Sequence, residues 1–374
     1  MGHPGRVPAV RIGLVCPYSL TLPGGVQGQV LALARSMRRR GYEARVLAPC
    51  DGPPPELFVT PLGNSLPSAS NGSVAPVAPD PAAQLRTIRA LWDEGFDVVH
   101  LHEPLAPGPT ITSLMLKPAP LIGTFHAAGS QPAYTAAAPA VRWGARRLDM
   151  RVAVSPDARD LAQAHLGGEY ELLFNGVEVE RFATAEPWPT EGPTVLFVGR
   201  HEPRKGLDVL LESLAHLPTD ARVWVAGTGP DTDALKARFT DPRIEWLGRI
   251  SDDERDRRLA GADVFCAPSL GGGSFGVILL EAMAAGAPVV ASDIPGYTKV
   301  ATAPAPDGSV PPEPAAVLSP VGDPAALGAA LHRVLTDADV AARQRELGIA
   351  RVAPYDMEVL VGLYLDRYRR LIAG

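Results

Sequence analysis

Val10-Arg11-Ile12-Gly13-Leu14-Val15-Cys16 is a short apolar run, and the turn Pro23-Gly24-Gly25 follows it. A brief apolar run bounded by a turn is the pattern of a parallel strand buried on both faces. Beyond the turn, Val30, Leu33, Ala34 and Met37 recur at helical spacing, and Arg38, Arg39 and Arg40 before Gly41 mark a helix C-terminus. A helix therefore starts near Gly25. The same alternation continues through strands over 44–47, 98–101, 121–124 and 151–154, with a helix after the last from about Pro156. Strand, turn and helix in regular alternation mean a parallel sheet with helices on both faces.

A second cycle begins at 194–198, after a connector rich in Pro and Thr over 183–193. Strands over 223–226, 244–247, 264–266 and 289–291 alternate with helices near 206–217, 232–239, 252–260 and 275–285. The expected class is α/β: two Rossmann-like domains, residues 1–182 and 190–355, with parallel sheets facing across a cleft. A last helix over 357–371, within a segment 356–374, carries Leu360, Leu363, Leu365 and Leu371 and can pack back on the N-terminal domain. At 374 residues, 46% of them hydrophobic, the chain suits two cores better than one.

Composition narrows the function classes. Formal charge is −6 and neither half is basic, which argues against nucleic acid as a partner. No stretch approaches the roughly 20 apolar residues of a membrane span, and the start lacks the apolar core of a signal peptide. A cytoplasmic protein is expected. Cys16, Cys50 and Cys266 are far apart and form no CxxC pair, so they read as small buried hydrophobes. Prolines in 53–55, 76–81 and 304–314 read as surface loops.

Ligands of open α/β sheets sit beyond the carboxyl ends of the strands. Gly24 and Gly25 place backbone N–H groups at a helix start, where an anion is favoured. After the strand over 194–198, Arg200 and Lys205 straddle a proline turn and suit the two phosphates of a nucleoside diphosphate. After the strand over 264–266 come Gly271-Gly272-Gly273-Ser274-Phe275-Gly276-Val277 and then Glu281, a carboxylate in an otherwise apolar helix that needs a partner such as a ribose diol.

In this order the three elements resemble the family 4 retaining glycosyltransferases of the GT-B fold, over nearly the whole chain. Pro17-Tyr18-Ser19, Pro23-Gly24-Gly25-Val26-Gln27, Asn71-Gly72-Ser73-Val74, His102-Glu103-Pro104, Thr124-Phe125-His126, Asn175-Gly176-Val177 and Cys266-Ala267-Pro268 are similar to the phosphatidylinositol mannosyltransferases of actinobacteria. The resemblance implies a nucleotide diphosphate sugar, GDP- or UDP-linked, as donor, and no further cofactor or metal. It puts Gly25 against the diphosphate, Arg200 and Lys205 on its charge, and Glu281 on the ribose hydroxyls. Backbone near Arg249 and Ile250 meets the base. Gly273, Ser274, Phe275, Gly276 and Val277 border the sugar and phosphate, and His126 lines the reaction centre. Tyr18, Gln27 and Asn71 face the acceptor.

Two departures qualify what the resemblance implies. Gly273 stands where the family has a glutamate on the donor sugar. That leaves open a nucleotide-sugar-binding protein without transfer, or a sugar-nucleotide epimerase. Over 76–89 there are only Arg86 and Arg89 and no lysine, so membrane attachment is weak or absent. The acceptor is a soluble hydroxyl compound or a phosphatidylinositol, the latter placing the protein peripherally at the inner face of the membrane. Gly227-Thr228-Gly229-Pro230 reads as a strand-to-helix turn, Asp231-Thr232-Asp233 as a helix start, and His100 with His102 as too few groups for a metal.

Overall fold

The computed structural model describes residues 10–70, 73–127, 138–271 and 275–374. The chain divides into two compact units, Met1–Gly176 with Met357–Gly374, and Val177–Asp356. Residues 177–182, which the sequence reading gave to the first domain, thus fall in the second unit. Their helix, Val179–Ala183, ties to the helix Asp252–Gly261 of that unit through Arg181, which donates to Asp256 at 2.6 Å.

In the first unit a seven-stranded parallel sheet is built from β1 (Arg11–Val15), β2 (Glu43–Ala48), β3 (Val59–Pro61), β6 (Val98–His102), β7 (Leu121–Phe125), β8 (Met150–Ala153) and β9 (Glu171–Leu172). Its order is β3-β2-β1-β6-β7-β8-β9. Between β3 and β6 the chain makes a separate antiparallel hairpin, β4 (Leu66–Ser70) with β5 (Ser73–Val77). Pro76 therefore lies in a strand, not in a loop as its sequence suggested. A two-stranded ribbon has only edges, so Pro67 and Pro76 can sit opposite each other without an N–H. Pro81 likewise opens a helix, Pro81–Glu94, at a position where its missing N–H has no partner to lose.

The helix Gly25–Arg39 buries Val30, Leu33, Ala34 and Met37 against β1 and β2. The terminal helix Met357–Ala373 joins this core through Met357, Leu360, Val361, Tyr364, Leu365 and Tyr368. Leu363 and Leu371 are only partly buried, and the two tyrosines, absent from the apolar pattern, take their place because their hydroxyls find partners inside. Glu358 adds ion pairs to Arg39 at 2.9 Å and Arg40 at 2.7 Å, but its side chain is 40% exposed. Such pairs contribute about 0–1 kcal/mol each, against about 1.5–3 kcal/mol for each buried aliphatic side chain, so packing docks the helix.

The second unit has β10 (Thr194–Val198), β11 (Arg222–Ala226), β12 (Ile244–Gly248), β13 (Val264–Ala267), β14 (Val289–Ser292) and β15 (Val317–Ser319), ordered β12-β11-β10-β13-β14-β15. In chain order this is 3-2-1-4-5-6, the arrangement of dinucleotide-binding folds. The helix expected over 206–217 is Leu207–Glu212 followed by a 3-10 turn Ser213–His216, and the one expected over 275–285 runs Val277–Ala284. Strand order reverses between β1 and β6 in one unit and between β10 and β13 in the other. Loops leaving those strands border the switch-point crevices.

Candidate active site

In the second unit the loops after β10, β11 and β13 are joined backbone to backbone. Gly206 has φ 64°, and a Cβ there would lie 2.0 Å from the Pro268 carbonyl oxygen. Leu270 N–H donates to the Arg204 carbonyl at 2.9 Å, sealing the β10 loop to the β13 loop. On the other side Gly227, at φ 117°, passes so close to Gly199 that a Cβ would stand 1.9 Å from its carbonyl oxygen. The buried His201 completes this seam: Asp231 N–H donates to its carbonyl at 3.1 Å, and its Nδ1 meets Thr232 Oγ1 at 2.9 Å. What reads in sequence as a plain turn at 227–230 is thus shaped by the neighbouring loop.

The charges on this frame are unequally matched. Glu202, buried, takes the Arg204 guanidinium in an ion pair, with Arg200 Nε at 3.7 Å. Lys205 Nζ makes no hydrogen bond or ion pair among the described residues; burial and Arg204 lower its pKa, against the pull of Glu202. Glu281 is the counterpart. It is partly buried in the helix Val277–Ala284 and has no hydrogen bond among the described residues; burial raises its pKa, and Arg255 opposes. Arg255 is itself held by Asp256 at 2.8 Å. A lone ammonium and a lone carboxyl so placed have capacity for a polar ligand.

Around them, Gly276 caps the helix at φ 68° against the Tyr297 ring, whose hydroxyl bonds Ser269 Oγ at 2.9 Å. Phe275 lies 5.7 Å from the Tyr355 ring, and Val277 is the first helical residue. Arg249, exposed, and Ile250, half-buried, follow β12, whose Gly248 accepts from Gly227 N–H at 2.7 Å. Gly273 and Ser274 lie outside the described residues, as does Asn71.

In the first unit Tyr18 bridges to Val77, and Ser19 N–H donates to the Pro76 carbonyl at 2.9 Å, so the hairpin is laid against the loop after β1. Burial and the nearby Glu103 push the Tyr18 phenol up. Gln27 is 7% exposed, and its amide donates to the Ser19 and Leu22 carbonyls at 3.4 Å each. It folds over Gly24, where a Cβ would meet its side chain at 2.2 Å, while Gly25 faces open space.

His126 follows β7 and is 9% exposed. Its Nε2 lies 3.0 Å from His102 Nδ1, and its backbone N–H donates to Glu103 Oε1 at 2.7 Å. The same oxygen takes the Ala127 N–H at 2.6 Å. Burial lowers His126 to about 4, outweighing a hydrogen bond with Asn175 that favours the charged ring. Burial pushes Glu103 up to about 7, against those two N–H groups. Thus His126 is neutral near pH 7.

Over residues 23–181 the chain matches the family described as Glycosyltransferase Family 4, and over 192–337 that described as Glycosyl transferases group 1. A phosphatidyl-myo-inositol mannosyltransferase of Mycobacterium leprae is 38% identical over 371 residues, spanning 96% of each chain. This chain belongs to the family 4 glycosyltransferases. The phosphatidyl-myo-inositol mannosyltransferase of Mycolicibacterium smegmatis is also 38% identical, over 98% of this chain and 95% of that one. The sucrose-phosphate synthase of Thermosynechococcus elongatus shares the GT-B fold of this glycosyltransferase with a TM-score of 0.73 at 19% identity, covering 97% and 99% of the chains. Anabaena HepE, solved with UDP and glucose, does so at 0.70 and 18%, covering 97% and 100%. The chain is therefore an enzyme, a hexosyltransferase.

Among the described residues of this glycosyltransferase, no group of three or more His, Cys, Asp or Glu could hold a metal ion, and no helix is long and apolar enough to cross a membrane. His102 and Glu103 escaped the residue-level reading as working groups. The signal was there: two polar side chains directly at the end of the strand that borders the switch point, where burial demands partners.

The buried histidines make the fold of this glycosyltransferase acid-sensitive. Burial lowers His100 to about 3 and His126 to about 4, and carries His102 well below its ordinary value. Each lowered histidine contributes stability that is whole above about 6.5 and is lost as pH falls toward its folded value. Glu103 runs the other way: raised to about 7, it contributes stability below about 4.5 that is lost as pH rises through 7. Between pH 7 and 5 His100 and His126 each lose about 2 kcal/mol and Glu103 regains about as much, and His102, lowered too, adds to the net loss. Calorimetry should find Tm several degrees lower at pH 5 than at pH 7, and a His126→Asn variant should show a shallower dependence. A flat profile over that range would show that these rings titrate normally.

Proposed function

We propose that this glycosyltransferase moves a mannosyl group from a nucleoside diphosphate sugar to a hydroxyl of an inositol phospholipid, with retained anomeric configuration. The observation that carries the reading is the 38% identity to the Mycobacterium leprae phosphatidyl-myo-inositol mannosyltransferase over 96% of both chains. Lys205 and Arg200 neutralise the donor diphosphate, and Glu281 accepts from the ribose hydroxyls. In the second unit, backbone N–H groups at the helix start Phe275, Gly276 and Val277 hold phosphate oxygens; in the first, those of Gly24 and Gly25 offer the same chemistry. Backbone at Arg249 and Ile250 meets the base. His126 lines the sugar, and Tyr18, Gln27 and Asn71 serve the acceptor.

Retention follows if the acceptor attacks on the leaving-group face, with a diphosphate oxygen taking its proton. Glu103, the carboxyl beside His126, takes two backbone N–H groups on one oxygen, Oε1, which fixes its place at the end of β6. Gly273, in place of the family's glutamate, removes one contact to the donor sugar and lowers donor affinity by about 10-fold or more. A lipid surface would be met through apolar side chains. On the helix Pro81–Glu94, Leu85 and Trp92 are 66% and 70% exposed, while Arg86 donates to the Leu62 carbonyl and Arg89 pairs with Asp93.

The test offers GDP-mannose, UDP-mannose, UDP-glucose and UDP-N-acetylglucosamine to the purified chain with phosphatidylinositol vesicles or free myo-inositol. Nucleotide release and NMR of the product are the readouts. A mannose donor should turn over with vesicles only and give a product of unchanged configuration. Equal use of free myo-inositol would overturn the lipid acceptor, and epimerisation without acceptor would overturn transfer.

A further inference from the structure

The helix Pro295–Thr302 ends without the partner that the carbonyl of its buried Val300 needs. Four residues on stands Pro304, which has no N–H to donate, and an unpaired buried carbonyl is costly. Arg351, from the helix Ala338–Val352, fills the gap. It is 3% exposed; its Nε donates to the Val300 carbonyl at 2.5 Å, and its Nη2 to the Lys299 carbonyl at 3.1 Å. The same Nη2 donates to the Tyr355 hydroxyl at 3.0 Å. Arg351 thus ties the end of one helix to a ring in the 3-10 turn Ala353–Tyr355.

Both partners of Arg351 lead to the Gly-rich loop after β13. Tyr297, three residues before Val300, spans the two ends of that loop. Its hydroxyl meets Ser269 Oγ at 2.9 Å, and its ring lies so close to Gly276 that a Cβ there would stand 2.8 Å from it. Tyr355 supports the position before Gly276, its ring centroid 5.7 Å from that of Phe275. The Tyr355 backbone is fixed separately, since Val177 N–H donates to its carbonyl at 2.9 Å. The Arg351 hydrogen bond then sets the far end of the ring. Gly271, Gly272, Gly273 and Gly276 have no side chains by which the loop could anchor itself. Its placing falls to Phe275 and to the rings that meet Phe275 and Gly276.

We infer that Arg351 is a positioning residue for donor binding: it holds Tyr297 and Tyr355, the rings on which Gly276 and Phe275 rest, and so aims the backbone N–H groups that take phosphate. The inference rests on the assignment of those N–H groups to the donor phosphates under the proposed function. Buried as it is, Arg351 acts only through the rings. Small errors of aim matter, because a backbone N–H binds an anion by its direction.

Three variants separate aiming from packing. Tyr355→Phe removes the hydroxyl and keeps the ring, Arg351→Met removes every donor, and Arg351→Lys restores an ammonium. Each full-length variant is titrated calorimetrically with GDP, GMP, UDP and UMP, and its donor kinetics and melting curve are recorded. The loop borders the sugar, so the phosphate it takes is the one that bears the sugar, which the monophosphates lack. A general loosening of the fold weakens both kinds of nucleotide; a misaimed loop weakens the diphosphate. Tyr355→Phe should lose about 3- to 10-fold in diphosphate affinity, Arg351→Met about 10- to 100-fold and Arg351→Lys less, with monophosphate affinity within about twofold of wild type. Donor KM should rise in step while kcat changes little. Should Arg351→Met melt below the assay temperature, Tyr355→Phe decides alone. A wild-type chain that binds mono- and diphosphate equally overturns the phosphate assignment of the loop, and the inference with it. A diphosphate preference that is undiminished in the variants, or equal losses for both kinds of nucleotide, overturns the inference and leaves that assignment standing.

Discussion

Replacing Lys205 by alanine is expected to lower kcat/KM for the nucleotide sugar by about 100- to 1,000-fold, without loss of thermal stability. Lys205 follows β10 in a 3-10 turn, Pro203–Lys205, whose Arg204 is already committed to Glu202. Its ammonium has no hydrogen bond or ion pair among the described residues, and burial disfavours its charge. A cation kept charged at a cost to the fold gains its partner only when a dianionic diphosphate arrives, and the leaving nucleotide carries more charge in the transition state than in the ground state. The loss should therefore appear chiefly in kcat, with a smaller rise in KM. Removing a desolvated ammonium also relieves the folded state, so Tm should hold or rise slightly. Steady-state kinetics and calorimetry on one preparation decide it. A variant within threefold of wild type in kcat/KM would remove Lys205 from the donor site.

The architecture was legible because periodicity carries it. Ile12, Leu14 and Val15 are fully buried in β1, and the short apolar run that contains them announced a parallel strand. The hairpin β4–β5 was not legible, because Pro67 and Pro76 argue against strands unless both strands are edges. Its site was read unevenly for a similar reason. Lys205 and Glu281 stand out in sequence since a charge in an apolar or turn context asks for a partner. His100 and His102 do not, because their meaning depends on His126, 24 residues from His102 and just after the neighbouring strand, and on tyrosines more than 260 residues away in the terminal helix that meet His100. Contacts between strands are set by register, and register is not written locally.

Gly206→Ala should be the most damaging small substitution in the second unit, lowering Tm by about 10 °C and nucleotide affinity at least about 10-fold. Two costs combine there. At φ 64° an alanine pays roughly 1–2 kcal/mol for the left-handed conformation. The new Cβ would also stand 2.0 Å from the Pro268 carbonyl oxygen, so the β10 and β13 loops must part. Parting them breaks the Leu270 to Arg204 backbone hydrogen bond, and the loop that carries Arg200 and Lys205 moves away from the one leading to Gly276 and Glu281. Gly308→Ala separates the two costs. Gly308 has φ 84°, but its Cβ would meet nothing within 4 Å. It should therefore show the conformational cost alone, about 1–2 kcal/mol, with GDP and UDP binding unchanged by titration calorimetry. Equal losses in the two variants would mean that the contact between the loops contributes no stability. A Gly206→Ala protein that melts early yet binds nucleotide normally would mean that the two loops hold the donor independently of each other.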